Sequence, residues 1–150
     1  KSFSFDQVVE FNEVCQRQEI PCVHYIMFGG PGETLRSLEQ GLKNISLLSN
    51  CVVLGFSGVR ILPGTPLAQR AVREGIISEK DSLLKPVFYF SPEVEVESMN
   101  EAIEKAFNHR RQRVFPPSAG REKLKVLNRF GLRGSLWDKL VSFDKKKRRP

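Results

Sequence analysis

Hydrophobic positions follow two different periods along the first half of the chain, one typical of helices and one typical of buried strands. Spacings of three and four residues predict amphipathic helices over residues 4–19 and 34–49, and a shorter helix over 66–74. Continuous apolar runs over residues 23–28 and 52–61 predict strands that are covered on both faces. Because a helix separates the two strands, we expect them to be parallel, with a right-handed crossover.

Capping residues place the ends of these helices. Ser4 and Gln7 match a capping box for the first helix, and Asn50 follows the second helix as a left-handed stop. Pro66 suits the first turn of the third helix, and Gly75 suits the position after its end. We therefore expect the helices to begin and end close to these residues.

The second half of the chain is expected to be mainly helical. Residues 78–92 are irregular, with a short strand or an ordered apolar loop at 87–90. A long amphipathic helix is predicted over residues 93–113, and two shorter helices over 118–130 and 135–143. The leucines of the two shorter helices suffice for packing on the outside of the preceding α/β unit.

Composition places the chain among soluble globular proteins. Its 150 residues suffice for one domain, 40% of them are hydrophobic, and no apolar run approaches the ~20 residues that span a membrane. Cys15, Cys22 and Cys51 lack the spacing of metal ligands, so they predict buried thiols in a reducing, cytoplasmic setting. The chain opens at Lys1 without the layout of a signal peptide, so we interpret it as a piece of a longer protein.

The net charge of +7 is concentrated in two places. Residues 145–149 are all basic, and Arg110, Arg111 and Arg113 form a second group. A terminal basic run is typically a solvated, disordered tail, and this one has no aromatic residues to stack on bases. Nucleic acid is therefore not the expected partner, and a phosphate-binding arm is the alternative interpretation of the tail.

A glycine-proline turn between a strand and a helix carries the most specific pattern in the chain. The sequence Phe-Gly-Gly-Pro-Gly-Glu-Thr occupies residues 28–34, and Arg-Ile-Leu-Pro-Gly-Thr-Pro-Leu follows at 60–67. In this order, the two motifs resemble the second half of a radical S-adenosylmethionine (SAM) enzyme. They are similar in particular to the branch that includes cobalamin-binding radical SAM enzymes and the methylthiotransferases.

The resemblance implies a fold and a division of the chain. It implies an α/β class, as a partial (β/α) TIM-type barrel fragment with a helical C-terminal extension. Residues 1–92 would form the C-terminal part of the barrel, residues 93–143 the helical extension, and residues 144–150 a basic, disordered tail. Methylthiotransferases usually add a β-rich RNA-binding domain after the barrel, so the helical tail favours the cobalamin-type branch.

The resemblance also implies a cofactor-binding set at the carboxyl edge of the strands. Its members are Phe28, Gly29, Gly30, Pro31, Gly32, Glu33, Ser57, Gly58 and Arg60. Phe28 matches the position that lies against adenine, Gly30 a position that requires a small residue, and Glu33 an acid that supports its own loop. Ser57 and Gly58 would complete the adenine pocket through main-chain groups.

Arg60 and the two histidines are interpreted from their positions in the predicted elements. Arg60 is placed to hold a carboxylate or a phosphate, or else to form a salt bridge within its own loop. His24 opens the first strand well below the edge, which favours a buried, hydrogen-bonded histidine over a ligand. His109 lies among arginines on a predicted helix and is expected to be solvated.

The parent enzyme implied by the resemblance is an oxidoreductase that uses SAM and a 4Fe-4S cluster. It would cleave SAM to a 5′-deoxyadenosyl radical and act on a small-molecule substrate that the sequence does not identify. The cluster loop is expected to have a Cys-x3-Cys-x2-Cys pattern, which the three cysteines of this chain do not match. No catalytic or metal-ligating residue is therefore assigned, and the fragment alone is expected to be inactive. The cluster ligands, and cobalamin where the parent uses it, would belong to upstream segments.

The sequence also allows two other functions, and it predicts how the chain behaves without the rest of its barrel. An unrelated barrel enzyme would use the Gly30 loop as a phosphate cradle. A noncatalytic module would use the basic tail to contact RNA. Within the radical SAM interpretation, the partner of this chain is the upstream half of its own barrel, and without it the open sheet edges predict self-association.

Overall fold

The computed structural model describes residues 3–134 and 137–141, which form six helices and five strands. The helices are α1 (Phe5–Arg17), α2 (Leu35–Ser46), α3 (Pro66–Arg73), α4 (Val96–Phe107), α5 (Pro117–Arg129) and α6 (Trp137–Leu140). The strands are β1 (Val23–Phe28), β2 (Val52–Ser57), β3 (Val59–Arg60), β4 (Phe88–Tyr89) and β5 (Arg113–Val114). The helices and strands predicted for the first half of the chain are therefore present in the predicted order.

Three parallel strands form the main sheet, in the order β1-β2-β5. β1 and β2 pair along their whole length, from Val23 opposite Val52 to Phe28 opposite Ser57. β5 extends the sheet on the other side of β2, and β3 and β4 form a separate antiparallel pair. The α/β class and the parallel arrangement of the first two strands are confirmed, and the sheet is open within the described residues.

Helices cover both faces of this sheet. α1, α2 and α4 pack with Phe28 and Val53 in one core cluster, which also contains the three cysteines. α5 and α6 pack with Val52, Leu54 and Val114 in a second cluster. Neighbouring residues of β2 point to opposite faces. The C-terminal helices therefore lie on the face of the sheet opposite to α1 and α2.

Helices α5 and α6 leave one face of β1 exposed to solvent. Tyr25 is 58% exposed and Met27 is 57% exposed, on the strand face opposite to Phe28. The reason is that α5 and α6 pack mainly over β2 and β5, whereas β1 is the edge strand. The prediction that residues 23–28 are covered on both faces is therefore wrong for one face.

The helix ends agree with most of the predicted caps. Ser4 and Gln7 form a capping box at the start of α1, and Pro66 is the first residue of α3. Gly75 follows α3 with a φ of +71°. Asn50 also has a positive φ, of 47°, but α2 ends before it. Local hydrogen-bonding residues therefore set these boundaries, as the sequence predicts.

The helix predicted over residues 93–113 is wrong beyond Phe107. Asn108 leaves the helix with an extended ψ of 147°, and His109 has a φ of +60°, which ends the hydrogen-bond ladder. Arg113 then enters β5, where its guanidinium bonds carbonyl oxygens at the end of α2. The hydrophobic spacing around Arg113 cannot indicate a contact with residues 45 and 48, because they are more than 60 positions away.

Gly58 divides the strand predicted over residues 52–61. With a φ of +76°, it separates β2 from β3, which pairs with β4 instead of continuing the sheet. The apolar segment 87–90 contains β4, so it is a strand.

Of the helices described, none combines the length and apolar character needed to cross a membrane. The tail predicted over residues 144–150, and parts of the helix predicted over 135–143, fall outside the described residues.

Candidate cofactor-binding site

The carboxyl ends of β1 and β2 lie side by side and carry both predicted loops. We name this edge the rim and define it as residues 28–34 and 57–60. Phe28 is opposite Ser57 in the parallel register, and the Gly58 amide donates to the Phe28 carbonyl oxygen at 2.8 Å. A Cβ atom built on Gly30 would lie 3.7 Å from a side-chain carbon of the second loop. The structure therefore places the first loop beside residues 57–59, directly before the second motif.

A type II turn shapes the first rim loop. The Glu33 amide donates to the Gly30 carbonyl oxygen at 3.0 Å, and Gly32, the third residue of the turn, has the required positive φ, of 78°. The Glu33 carboxylate accepts a hydrogen bond from the Gly29 amide at 2.5 Å, and Thr34 caps α2. Glu33 thus makes the loop-supporting contact that the sequence predicts for it.

Two rim glycines pack against an aromatic side chain of the same chain. Gly29 and Gly58 have φ values of +79° and +76°. A Cβ atom on Gly58 would lie 2.7 Å from the Phe90 ring, and one on Gly29 would lie 3.0 Å from it. The Ser91 amide donates to the Gly29 carbonyl oxygen at 2.9 Å. The group that approaches the Gly29 and Gly58 backbone is therefore the chain's own segment 88–91.

The predicted site residues Phe28 and Arg60 differ in exposure. The Phe28 ring is 2% exposed and meets Phe107 edge-on at 6.5 Å between ring centroids, so it belongs to the core beneath the rim. Arg60 is exposed on β3 opposite Phe88, and Pro31 is exposed at the tip of its turn. Among the described residues, Arg60 is in none of the ion pairs, so a salt bridge within its loop is not observed there.

A cavity of about 380 Å³ adjoins the rim at Ser57. The Ser57 hydroxyl donates to the side-chain oxygen of Asn100 on α4, and Glu104 adds a carboxylate to the lining. Its aromatic walls are Phe56, Phe88 and Phe115. This size and mixed lining suit a small organic molecule. Sequence reasoning missed the α4 residues because Asn100 is 43 positions from Ser57, and no local pattern joins such distant residues.

His24 lies below the rim in a hydrogen-bonded, half-buried setting. Its Nε2 atom is 3.0 Å from the Asn12 side-chain oxygen and 3.5 Å from the Cys22 sulfur. The Asn12 side-chain nitrogen donates to the Ser49 carbonyl oxygen, so the Asn12 oxygen is the acceptor for His24. Burial lowers the pKa of His24, and the charge of Arg113 lowers it further. The predicted hydrogen bonding of His24 is confirmed.

The three cysteines lie in the first core cluster and form no disulfide. Burial raises the pKa of Cys22 to about 11 and also raises the pKa of Cys51, so both are thiols at neutral pH. The spacings of the three cysteines, seven and 29 positions, do not match the Cys-x3-Cys-x2-Cys loop of a radical SAM cluster, so these cysteines do not fit one. Within residues 3–134 and 137–141, no group of His, Cys, Asp and Glu side chains is arranged to hold a metal ion.

Comparison with known proteins adds no relative: the chain matches no protein-family model, no curated protein and no solved structure. A functional conclusion therefore depends on the contacts of the rim and of the cavities near it. Those contacts are a shared strand edge, a loop fixed by Glu33 and a cavity that opens beside Ser57.

Proposed function

We propose that this chain supplies part of the adenosine-binding edge of a radical SAM enzyme, as the C-terminal part of its barrel. The observation that carries the proposal is the pairing of Phe28 with Ser57 at the ends of parallel strands, which sets the Gly30 loop beside the second motif. Two motifs that resemble this enzyme class thus share one edge. In parallel α/β folds, ligands bind at this end of the strands.

The main chain of the rim is the part suited to adenosine. A Cβ atom on Gly30 would meet one atom within 4 Å, and a Cβ atom on Gly32 would meet none. A planar base therefore has access to the backbone of this turn. Ser57 and Gly58 would complete the surface through the second loop, and Phe28 supports it from the core.

SAM bound at this edge would supply a carbon–sulfur bond for reductive cleavage, with one electron from the cluster held by upstream segments and methionine as the leaving group. The share of this chain is to orient the adenosine, through the loop that Glu33 fixes, and to hold a substrate beside it. The cavity next to Ser57 combines aromatic walls with the polar groups of Asn100 and Glu104. Arg60, exposed at the same edge, would bind a carboxylate or a phosphate of the ligand.

The remaining barrel strands, the 4Fe-4S ligands and any cobalamin site belong, in this proposal, to upstream segments of a longer protein. The three cysteines of this chain do not have the spacing of the cluster loop. β1 is an edge strand among the described elements. An upstream strand of the barrel would therefore pair with β1 and protect its exposed backbone.

The test compares two glycine-to-tryptophan variants of the longer protein after reconstitution with its cluster. Gly30→Trp fills the proposed base-binding surface, whereas Gly41→Trp adds the same bulk to α2, where a Cβ atom also meets nothing within 4 Å. SAM titration should show at least about tenfold weaker binding for Gly30→Trp and unchanged binding for Gly41→Trp. Equal affinity in all three proteins would remove Gly30 from the pocket. A longer protein without the three-cysteine loop would reject the proposal itself.

A further inference from the structure

A groove of about 920 Å³ runs along β5 between α4 and α5, and we name it the β5 groove. Its walls carry five cationic side chains. These are Lys105, Arg110, Arg111, Arg113 and Lys123. Two carboxylates, Glu101 and Glu104, precede the basic residues along α4 and also line the groove. Positive charge therefore dominates the part of the groove that follows α4.

Arg113 is the most informative residue of the groove, because its guanidinium is buried without a counter-ion. The residue is 4% exposed. Its Nη2 atom donates to the carbonyl oxygens of Ile45 and Leu48, at 2.9 and 2.6 Å. Its Nη1 atom has no hydrogen-bond partner in the described part of the chain, and no carboxylate there forms an ion pair with Arg113. A buried cation in this state costs free energy unless an acceptor completes its hydrogen bonds.

The titratable neighbours of Arg113 do not neutralise its charge. The Cys51 side chain interacts with Arg113 electrostatically and through a side-chain hydrogen bond, but burial raises the pKa of the Cys51 thiol, which is therefore uncharged at pH 7. Burial lowers the pKa of Arg113, and the like charge of Arg110 lowers it further. Both arginines also line a smaller cavity of about 310 Å³ beside α2 and α4. Two mutually repelling guanidinium groups thus share the walls of two cavities.

We propose that the β5 groove binds the phosphate group of a small molecule, with Arg110 and Arg113 as its anchoring residues. A phosphate carries the negative charge that both guanidinium groups attract and oxygens that accept hydrogen bonds from them. Because the Nη1 atom of Arg113 is itself buried, the Arg113 side chain would have to turn toward the groove to donate to the ligand. Phe107 and Phe115 also line the groove, and they would contact an apolar part of the ligand. This site contains no residue of the rim and does not depend on the radical SAM proposal.

The two carboxylates of the groove, Glu101 and Glu104, disfavour a long polyanionic ligand. A long polyanion that follows the groove would meet Glu101 and Glu104 as well as the basic residues, and like charges repel it there. A single phosphate group contacts the arginines alone. The charge pattern therefore favours a phosphate monoester or pyrophosphate over a nucleic acid strand.

The test titrates the 150-residue chain with inorganic phosphate, pyrophosphate and a sugar phosphate, and follows the guanidinium signals of the arginines by NMR. We expect saturable shifts of the Arg113 signals. Arg110→Gln should weaken binding at least about tenfold, because it removes a charged donor. The matched control is Arg129→Gln, which removes the same charge from an exposed position of α5 and should change the Kd less than about twofold.

A second variant tests the buried donor directly. Arg113→Lys keeps the positive charge but removes the forked guanidinium. If circular dichroism shows that this variant is folded, we expect its phosphate affinity to fall at least about tenfold. If it does not fold, the comparison of Arg110→Gln with Arg129→Gln decides the question.

Three results would overturn the proposal. The first is the absence of saturable shifts up to about 20 mM phosphate, beyond which binding is negligible. The second is equal weakening by Arg110→Gln and Arg129→Gln, which would show that diffuse charge attracts the anion. The third is binding to vesicles that contain phosphatidic acid without binding of soluble phosphates, which would identify a lipid surface instead.

Discussion

The rim and the β5 groove belong to one small fold but satisfy their polar groups differently. At the rim, the amide and the carbonyl of Gly29 are both paired within the chain, and Phe90 fills the space beside Gly58. In the groove, the Nη1 donor of the buried Arg113 guanidinium has no hydrogen-bond partner among the residues that the structure describes. Glycines therefore show where two groups approach closely without identifying the approaching group. An unpartnered buried charge, by contrast, indicates the chemistry of its ligand.

The largest effect is expected from Gly58→Ala, which tests the aromatic packing of the rim. The new Cβ atom would lie 2.7 Å from the Phe90 ring, at a φ of +76° that strains any side chain. We expect the free energy of unfolding to fall by about 2–4 kcal/mol in urea denaturation.

Gly32→Ala is the matched control for this prediction. Its φ is +78°, but its new Cβ atom would meet no atom within 4 Å. It should therefore show only the cost of backbone strain, about 1 kcal/mol. Equal losses in the two variants would mean that strain alone, and not Phe90, requires a glycine at position 58.

A smaller effect is expected from Glu33→Ala, which tests the hydrogen bond that fixes the first rim loop. The substitution leaves the buried Gly29 amide without its acceptor. We expect a loss of about 1–2 kcal/mol in the free energy of unfolding. Glu39→Ala removes an exposed carboxylate from α2 and should change stability by less than about 0.5 kcal/mol. If both variants match the wild type, the Gly29 amide has another acceptor and the loop does not depend on Glu33.

The smallest effect is expected from the protonation of His24, whose pKa depends on the charge of Arg113. Burial, and then Arg113, hold the pKa of His24 below 6.5 in the folded protein. The unfolded chain therefore binds a proton more readily than the folded chain does. The stability that neutral His24 contributes is fully present above pH 6.5, and it is lost as the pH falls from 6.5 through the folded-state pKa.

NMR titration of the imidazole signals measures this effect directly. The His24 midpoint should lie below 6.5 in the wild type, and Arg113→Gln should move it upward because the neighbouring charge is gone. Arg129→Gln provides the control for a general loss of positive charge. A His24 midpoint that does not move in Arg113→Gln would show that burial alone lowers the pKa.

Features that depend on near neighbours could be predicted from the sequence. The Ser4 capping box, the Pro66 helix start and the β1-β2 pair all follow from residues close together in the chain or from periodicity. The juxtaposition of the Gly30 loop and Ser57 follows from parallel strands, because their carboxyl ends meet at one edge. The loop-supporting role of Glu33 is also local, since its acceptor bond reaches back four residues.

Features that depend on distant contacts could not be predicted. The helix predicted over residues 93–113 ends at Phe107, and Arg113 instead lies in β5, which pairs with β2. The Arg113 side chain bonds the Ile45 and Leu48 carbonyl oxygens across 68 and 65 positions. Phe90 packs on Gly58 only because β4 turns back onto β3. The sequence shows that positions 113, 58 and 90 are an arginine, a glycine and a phenylalanine. Their partners depend on tertiary packing, which local patterns do not reveal.

One helix joins the two regions. α2 begins directly after Thr34 in the first rim loop, and the carbonyl oxygens that hold Arg113 belong to Ile45 in its last turn and Leu48 just past its end. A helix of this length is a rigid body of about 18 Å. A displacement of this helix at the rim would therefore also move the two oxygens that orient the guanidinium.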